Sequence, residues 1–169
     1  MKNLKVELST KGINEIIDFL ENYRNELDHK CEVFCQKLCE LGIEVIDARI
    51  VGKGDSDTSH ETEITIGKDG TYTNARLRLS GEDILFIEFG AGVHYNGAAG
   101  TSPNPKGSEL GYTIGSYGKG HGTQEFWYYK DDSGNYVRSY GTQATMPMYS
   151  ASIEMIKQMK SVAKEVFNG

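Results

Sequence analysis

Two histidines and one glutamate around a glycine-rich segment, residues 90–123, are the side chains best suited to acid–base or metal chemistry. His94 and His121 bracket that segment, and Glu88 precedes it in the otherwise apolar run Ile84–Phe89. If the three converged, they could form a metal-dependent hydrolase site, because imidazole and carboxylate groups bind metal ions and transfer protons. No HExxH or GxSxG motif accompanies them. We therefore expect no catalytic residue and interpret both histidines as polar loop residues.

Three cysteines, Cys31, Cys35 and Cys39, follow one another at four-residue steps on one strip of a predicted helix. Thiols spread over two helical turns, about 12 Å, cannot converge on one zinc ion unaided. Because free cysteine behaves as a small buried hydrophobe, we interpret them as helix-packing residues, with no metal and no cofactor expected. Their odd number cannot close a disulfide framework and favours a reducing compartment.

Other polar clusters have simpler interpretations. Gly115–Gly120 superficially resembles a phosphate-binding loop, but it lacks the GK[ST] ending and no helix follows it, so nucleotide binding is not expected. Asp131 lies in a predicted turn, where a carboxylate usually accepts hydrogen bonds from nearby backbone amides.

Glu88 has two interpretations. Its carboxylate either accepts hydrogen bonds from the amides of the glycine-rich segment, at the root of that loop, or is a half-exposed strand residue.

Length and composition indicate one ordinary globular domain, residues 1–169, with 38% hydrophobic and 25% charged residues. The longest apolar run, Ile84–Ile87, has four residues, whereas a bilayer-spanning helix needs about 18. Neither a membrane segment nor, from Met1–Lys5, a secretory signal is therefore expected. The net charge of −6 argues against binding nucleic acid by neutralising its phosphates.

Hydrophobic periodicity predicts a short strand at Leu4–Leu8 and then a long helix capped by Ser9 or Thr10. The helix is predicted through Gly42 to about Ile50, because the apolar stripe keeps its register on both sides of the glycine. The alternative ends the helix at Leu41 and places the next residues on a strand. The stripe consists of Leu20, Tyr23, Leu27, Phe34, Leu38, Leu41, Val45 and Ala48.

The middle of the chain has a pattern typical of antiparallel strands. Ile64 and Ile66 precede a predicted turn at Gly67–Gly70, and apolar residues then alternate up to Leu79. Gly81-Glu82 suits a two-residue type II′ hairpin to Ile84–Phe89, a predicted central strand. That register would place Leu79 opposite Ile84 and Leu77 opposite Phe86.

A second predicted hairpin joins residues 124–130 to 135–140, with Phe126 and Tyr128 on one face and Trp127 and Tyr129 on the other. Pro147 suits the first turn of a final helix, whose apolar face includes Met148, Met155, Met159, Val162 and Val166. The predicted fold class is α+β. An antiparallel sheet is flanked by a long N-terminal helix and a C-terminal helix, with a long glycine-rich loop inserted between strands.

The glycine-rich segment is exceptional in composition. It holds ten of the twenty glycines and two of the three prolines, but only three charged residues. Uninterrupted loops of this length are usually functional or disordered. We predict that the segment is mobile in an isolated subunit and contacts other subunits on assembly, with tyrosines supplying adhesive surface. The expected contact residues are Phe89, Gly90, Gly92, His94, Tyr95, Tyr112 and Tyr117.

Three stretches together resemble a known family: Phe86–Val93 (FIEFGAGV), Gly115–Gly120 (GSYGKG) and Gly141–Tyr149 (GTQATMPMY). With a long acidic helix in front and a helix behind, the chain is similar to the tail-component family of siphophages and prophages, the "gene product ten" type. Members of that family are minor structural proteins of the neck or the tail end.

The resemblance implies a non-enzymatic virion protein that forms a ring at the head–tail junction or completes the tail at its terminus. Its partners would be other copies of itself and connector or tail-tube proteins, with DNA only as passing cargo that the acidic charge would repel. It would be assembled in the cytoplasm of a bacterial host. The alternatives are the hydrolase described above and a small-ligand-binding module with the glycine-rich segment as its lid.

Overall fold

The computed structural model describes residues 9–50, 60–81, 83–90, 104, 106–110, 116–117, 120–121, 126–131 and 133–168. The predicted strand at Leu4–Leu8 and most of the glycine-rich segment lie outside these residues. The elements, in chain order, are α1 (Thr10–Ile50), β1 (Glu61–Asp69), β2 (Tyr72–Ser80), α2 (Ile84–Phe89), α3 (Lys106–Glu109), β3 (Ser116–Tyr117), β4 (Gly120–His121), β5 (Trp127–Lys130), β6 (Tyr136–Ser139) and α4 (Pro147–Asn168).

The predicted fold class, α+β, is confirmed: a long N-terminal helix and a C-terminal helix accompany antiparallel strands. The strands of the described residues form three separate two-stranded antiparallel pairs, β1–β2, β3–β4 and β5–β6. None of the helices in the described part of the chain combines the length and apolar character needed to cross a membrane.

Helix α1 has 41 residues, a length of about 60 Å. Ser9 caps its start, since the hydroxyl oxygen of Ser9 accepts a hydrogen bond from the amide of Gly12 at 3.1 Å. The helix continues through Gly42 to Ile50, as predicted, and the alternative that ended it at Leu41 is wrong.

Helix α4 packs antiparallel against the C-terminal half of α1. At one end the Arg49 guanidinium donates a hydrogen bond to the carbonyl oxygen of Thr145, at 2.9 Å. At the other end the rings of Phe34 and Phe167 lie 6.0 Å apart. The core lies between these contacts, and its most buried side chains in the two helices are Leu38, Cys39, Ile46, Pro147, Ala151 and Val162. Met159, predicted for the same apolar face of α4, is 46% exposed.

Strands β1 and β2 form a hairpin that lies along α1. The Lys68 ammonium, near the hairpin turn, is 3.1 Å from the carboxylate of Glu32 and 3.2 Å from that of Asp28. Both carboxylates raise the pKa of Lys68. At the start of β1 the His60 imidazole lies 3.0 Å from the Asp47 carboxylate. Strand β1 therefore runs in the direction opposite to α1.

The turn of this hairpin is Gly70-Thr71, three residues later than predicted, because β1 continues to Asp69. Gly70 has a φ of +60° and is the first residue of a two-residue loop, the position at which type II′ turns use glycine. Across this hairpin Leu77 pairs with Ile64 and Leu79 with Thr62. The predicted register, Leu79 opposite Ile84 and Leu77 opposite Phe86, concerned the next hairpin, and it is wrong because residues 84–89 form a helix.

The predicted central strand Ile84–Phe89 is instead a helix, α2. Ile84, Ile87 and Glu88 are buried while Leu85 is exposed, which is the spacing of one helical face. A short apolar run flanked by turn residues fits a buried strand and a buried helical turn equally well. The proposed type II′ hairpin at Gly81-Glu82 is consequently wrong.

The second hairpin is confirmed, with β5 paired antiparallel to β6. Phe126 and Tyr128 share a face, as predicted, with ring centroids 5.9 Å apart. The turn also matches its predicted chemistry, since a carboxylate oxygen of Asp131 accepts a hydrogen bond from the amide of Asn135 at 2.8 Å.

Gly42 lies where α1, β2 and α4 meet. A β-carbon at this position would lie 2.7 Å from Leu77 Cδ2 and 2.9 Å from Met155 Sδ, closer than carbon atoms can pack without a shift. The absence of a side chain at this position lets the hairpin and α4 approach α1 together. This close approach explains a glycine in a helix interior, where it costs about 1 kcal/mol relative to alanine.

We expect Gly42→Ala to lower the free energy of unfolding by about 1 kcal/mol, because overpacking at a three-element junction outweighs the gain in helix propensity. Urea unfolding followed by circular dichroism measures the change. In a Leu77→Ala background, which makes room for the new methyl group, the loss should shrink. A Gly42→Ala chain more stable than the parent would contradict the close approach.

Candidate functional site

Glu88 joins α2 to the start of α4 and is 4% exposed. One carboxylate oxygen accepts a hydrogen bond from the amide of Met148 at 2.8 Å, and the other accepts one from Tyr149 at 3.0 Å. A carboxylate at a helix N-terminus satisfies amides that have no partner within the helix and lies at the positive end of the helix dipole. Glu88 is therefore the N-terminal cap of α4, supplied from 60 residues earlier in the chain.

With this cap in place, every backbone N–H group from Met146 to Ser150 has a hydrogen-bond acceptor. Pro147 has no N–H, and the amide of Ser150 bonds the carbonyl oxygen of Met146 at 2.9 Å within the first turn. The amide of Met146 points at the carbonyl oxygen of Ile87, at 3.4 Å. The two remaining amides are those that Glu88 accepts. Met146, at the N-cap position, has no side-chain oxygen, so the local sequence offers no cap of its own.

Electrostatic effects on Glu88 act in opposite directions. Burial raises the pKa of its carboxyl group above the ordinary value of 4.5, while the amides of Met148 and Tyr149 and the Arg49 guanidinium lower it. The effect of burial is the larger. The Arg49 guanidinium also donates a hydrogen bond to the carbonyl oxygen of Thr145, just before α4. The positive charge near Glu88 is therefore fixed in place by the chain segment that leads into the helix that Glu88 caps.

The structure contradicts one of the two sequence interpretations of Glu88, that of a half-exposed strand residue. Glu88 is neither a strand residue nor half exposed, and its observed partners lie on α4. The other interpretation gave Glu88 hydrogen bonds from the amides that follow Gly90. Those amides lie outside the described residues, so this interpretation stays a prediction. Phe89 and Gly90 are buried in the chain, and Gly90 donates a backbone hydrogen bond to Phe86 at 2.7 Å.

The other predicted contact residues, Gly92, His94, Tyr95 and Tyr112, lie outside the described part of the chain. The backbone of Tyr117 is in β3.

The structure describes only one side chain of the hypothetical hydrolase set, that of Glu88. Both oxygens of Glu88 are engaged by α4, the position of His94 is not described, and only the backbone of His121 is described, in β4. Among the residues described, no three His, Cys, Asp or Glu side chains lie close enough to hold a metal ion.

The cysteine strip faces the protein interior. Cys39 is buried and Cys31 and Cys35 are half-buried, with all three thiols free. Burial raises the pKa of Cys35 and of Cys39. Because the thiolate is the form that attacks electrophiles and binds metals, these thiols are poorly suited to either task as they stand.

Two exposed surfaces were not singled out by sequence reasoning. The first, the tyrosine ribbon, consists of Tyr128, Tyr129, Tyr136 and Tyr140 on or beside β5 and β6. All four are at least 47% exposed, and Tyr136 reaches 71%. The sequence does carry a signal for this surface, since several tyrosines lie close together around residue 130. Because side chains alternate between the two faces of a strand, tyrosines this close in sequence place aromatic rings on both faces of the hairpin.

The second surface, the exposed α1 face, consists of Ile13, Ile17, Leu20, Tyr23 and Leu27. Each is at least 40% exposed. Three of them belong to the predicted apolar stripe. Only its C-terminal half lies against α4.

Comparison with protein-family models, with curated proteins and with solved structures finds no match to this chain.

We expect Glu88→Ala to lower the free energy of unfolding by about 2 kcal/mol, because two helix-terminal amides lose their acceptor. Glu88→Gln should cost about half as much, since an amide oxygen can still accept one of the two bonds. Chemical unfolding measures both, with Glu61→Gln as the control for an exposed acid. An Ala variant as stable as the control would exclude the capping role.

The raised pKa of Glu88 also predicts a pH dependence. The pKa of Glu88 is 4.5 in the unfolded chain and higher in the folded chain. Between these two values the Glu88 carboxyl group is protonated in the native state and ionised in the unfolded state. The contribution of Glu88 to the free energy of unfolding therefore falls as pH rises through that window. Unfolding measured from about pH 4 to 7 should show this component in the parent chain and not in Glu88→Gln. Identical pH profiles would contradict it.

Proposed function

We propose that this chain is a structural protein of a tailed phage or prophage virion, a ring-forming subunit at the head–tail junction or the tail terminus. The observation that carries the proposal is the tyrosine ribbon. Tyrosine is enriched in protein interfaces because its ring offers apolar area and its hydroxyl group a hydrogen bond. Four exposed tyrosines on one small hairpin suit contact with another protein. The resemblance of the FIEFGAGV, GSYGKG and GTQATMPMY stretches to the tail-component family supports the same conclusion.

The anchoring of the glycine-rich segment also supports an assembly role. Its root is held firmly: Phe89 and Gly90 are buried, and Glu88, just before them, is bonded to α4. A low-charge segment that starts from a fixed point can reach a neighbouring subunit and bury its tyrosines there. In this proposal residues 90–123 complete the contacts between copies and with connector or tail-tube proteins.

The acidic charge of the chain suits passage of DNA through such a ring. Carboxylates lining a channel repel phosphates, so DNA would pass as cargo without adhering. No observation on the described residues favours the hydrolase, whose proposed acid is occupied as a helix cap. The virion location and assembly in the bacterial cytoplasm belong to the same proposal.

Electron microscopy and light scattering of the purified chain test ring formation, and mass spectrometry of purified particles tests incorporation. We expect closed rings and recovery of the chain from virions. Replacing Tyr128, Tyr129 and Tyr136 together by Ser should weaken assembly at least tenfold, since interface tyrosines often contribute more than 1 kcal/mol each.

The matched control is Tyr72→Ser, which removes a tyrosine of similar exposure from the other hairpin. A chain that stays monomeric and is missing from particles would overturn the proposal, as would equal loss of assembly in the triple variant and the control.

A further inference from the structure

We infer that the exposed α1 face of one copy packs against the outer face of α4 in a second copy. The outer α4 face consists of Ile153, Ile156 and Met159, all at least 46% exposed. The inference rests on the proposed ring-forming function for its choice of a second copy as partner. It names the two surfaces that would meet.

The exposed α1 face continues an interface that already exists. Leu20 and Leu27 lie on the same stripe as Phe34, Leu38 and Leu41, and the latter part of that stripe packs on α4. Helix α4 ends at Asn168, close to Phe34, and therefore leaves the stripe N-terminal to that point uncovered by α4. A second helix lying there would extend the packing that α4 begins.

Helix α4 is apolar on two sides. Its inner side, with Ala151 and Val162, is buried in the core. Its outer side carries Ile153 and Ile156, which is 65% exposed, at the three-residue step that places side chains on one helical face. A helix with apolar residues on both sides is suited to lie between two helices. One is its own α1, and the other is the α1 of a neighbour.

Charge distinguishes this pairing from the pairing of two α1 helices. Residues 10–30 contain five acidic and three basic side chains; the exposed Arg24 lies within the exposed α1 face, the exposed Glu21 lies beside it, and Glu26 is already 3.8 Å from Lys30. Residues 147–168 contain three basic and two acidic side chains; Lys160 and Lys164 are exposed on the outer side of α4, and Lys157 is already 3.3 Å from Glu154. The difference between the two surfaces is therefore one of overall charge sign. The α1–α4 pairing brings opposite charges together, whereas an α1–α1 pairing would bring like charges together.

Area limits what this contact can do alone. Residues 13–27 span about 20 Å of a helix roughly 10 Å wide, so the contact buries on the order of 200 Å² per copy. A stable interface usually buries about 800 Å² per partner. The α1–α4 contact is therefore one part of a larger interface that also includes other surfaces.

The pairing joins two different surfaces of the same chain, so each copy can use its α1 on one neighbour and its α4 on the other. Such head-to-tail contacts generate a closed ring when the rotation between copies closes, and a filament when it does not. A twofold α1–α1 pairing would stop at a dimer.

Cysteine cross-linking tests the inference. In a chain whose three native cysteines are replaced by Ala, Leu20→Cys and Ile156→Cys are introduced separately and together, and the proteins are mildly oxidised. We expect a cross-linked dimer when the two single variants are mixed and a ladder of higher oligomers when both changes are in one chain. Each single variant alone should remain uncross-linked. Thermal unfolding checks that every variant is folded.

The outcomes separate the inference from the proposed function. Dimers of the Leu20→Cys variant alone would show α1–α1 pairing and overturn the inference. Rings seen by microscopy without the mixed cross-link would overturn it too, while leaving the ring-forming function intact. A mixed cross-link in a chain that forms no rings and is missing from particles would support the contact and contradict the function.

Charge reversal provides a second test that leaves the apolar side chains in place. Glu21→Lys should weaken assembly about threefold, as should Lys164→Glu, because each change places like charge across the contact and neither side chain has an ion-pair partner within its own helix. Combining the two changes should restore most of the loss. Failure of the combined variant to recover, with both single variants folded, would contradict the pairing.

Discussion

The carboxylate of Glu88 connects the middle of the chain to its last helix, and the arrangement of α1, α2 and α4 depends on that connection. Helix α4 begins with Met146 and Pro147, which provide no capping oxygen, and Met146 has a φ of +55°, uncommon for a residue with a side chain. The two amides that need an acceptor find it in Glu88. Because Arg49 holds the carbonyl oxygen of Thr145, the same junction also positions α4 against α1.

Gly42 sets the second constraint. The cap positions the start of α4, and the missing side chain at Gly42 determines how closely α4 and β2 can approach α1 further along. Between them these two residues specify the packing of three elements that are far apart in sequence. Among the described residues, the tyrosine ribbon, the exposed α1 face and the outer α4 face remain outside this packing and are available for other proteins.

Patterns local in sequence predicted the long helices and the second hairpin correctly. The apolar stripe that includes Leu38 predicted that α1 continues through Gly42, and Pro147 predicted where α4 begins. Six residues from Ile84 were too few to distinguish a strand from a helix, so α2 was misassigned and a false hairpin followed. The cap and the role of Gly42 could not be predicted, because each depends on contacts between residues tens of positions apart.

The spacing of the apolar stripe has a geometric consequence. The stripe has members every seven residues at Leu20, Leu27, Phe34 and Leu41, and Ile13 of the exposed α1 face continues this spacing, whereas a straight α-helix has 3.6 residues per turn. Each heptad therefore drifts by about 20° around the axis. From Leu41 to Ile13 the stripe winds through about 80°. A helix that follows its N-terminal part would therefore be offset around α1 from the line of α4, and it could pass beside the end of α4 without colliding with it.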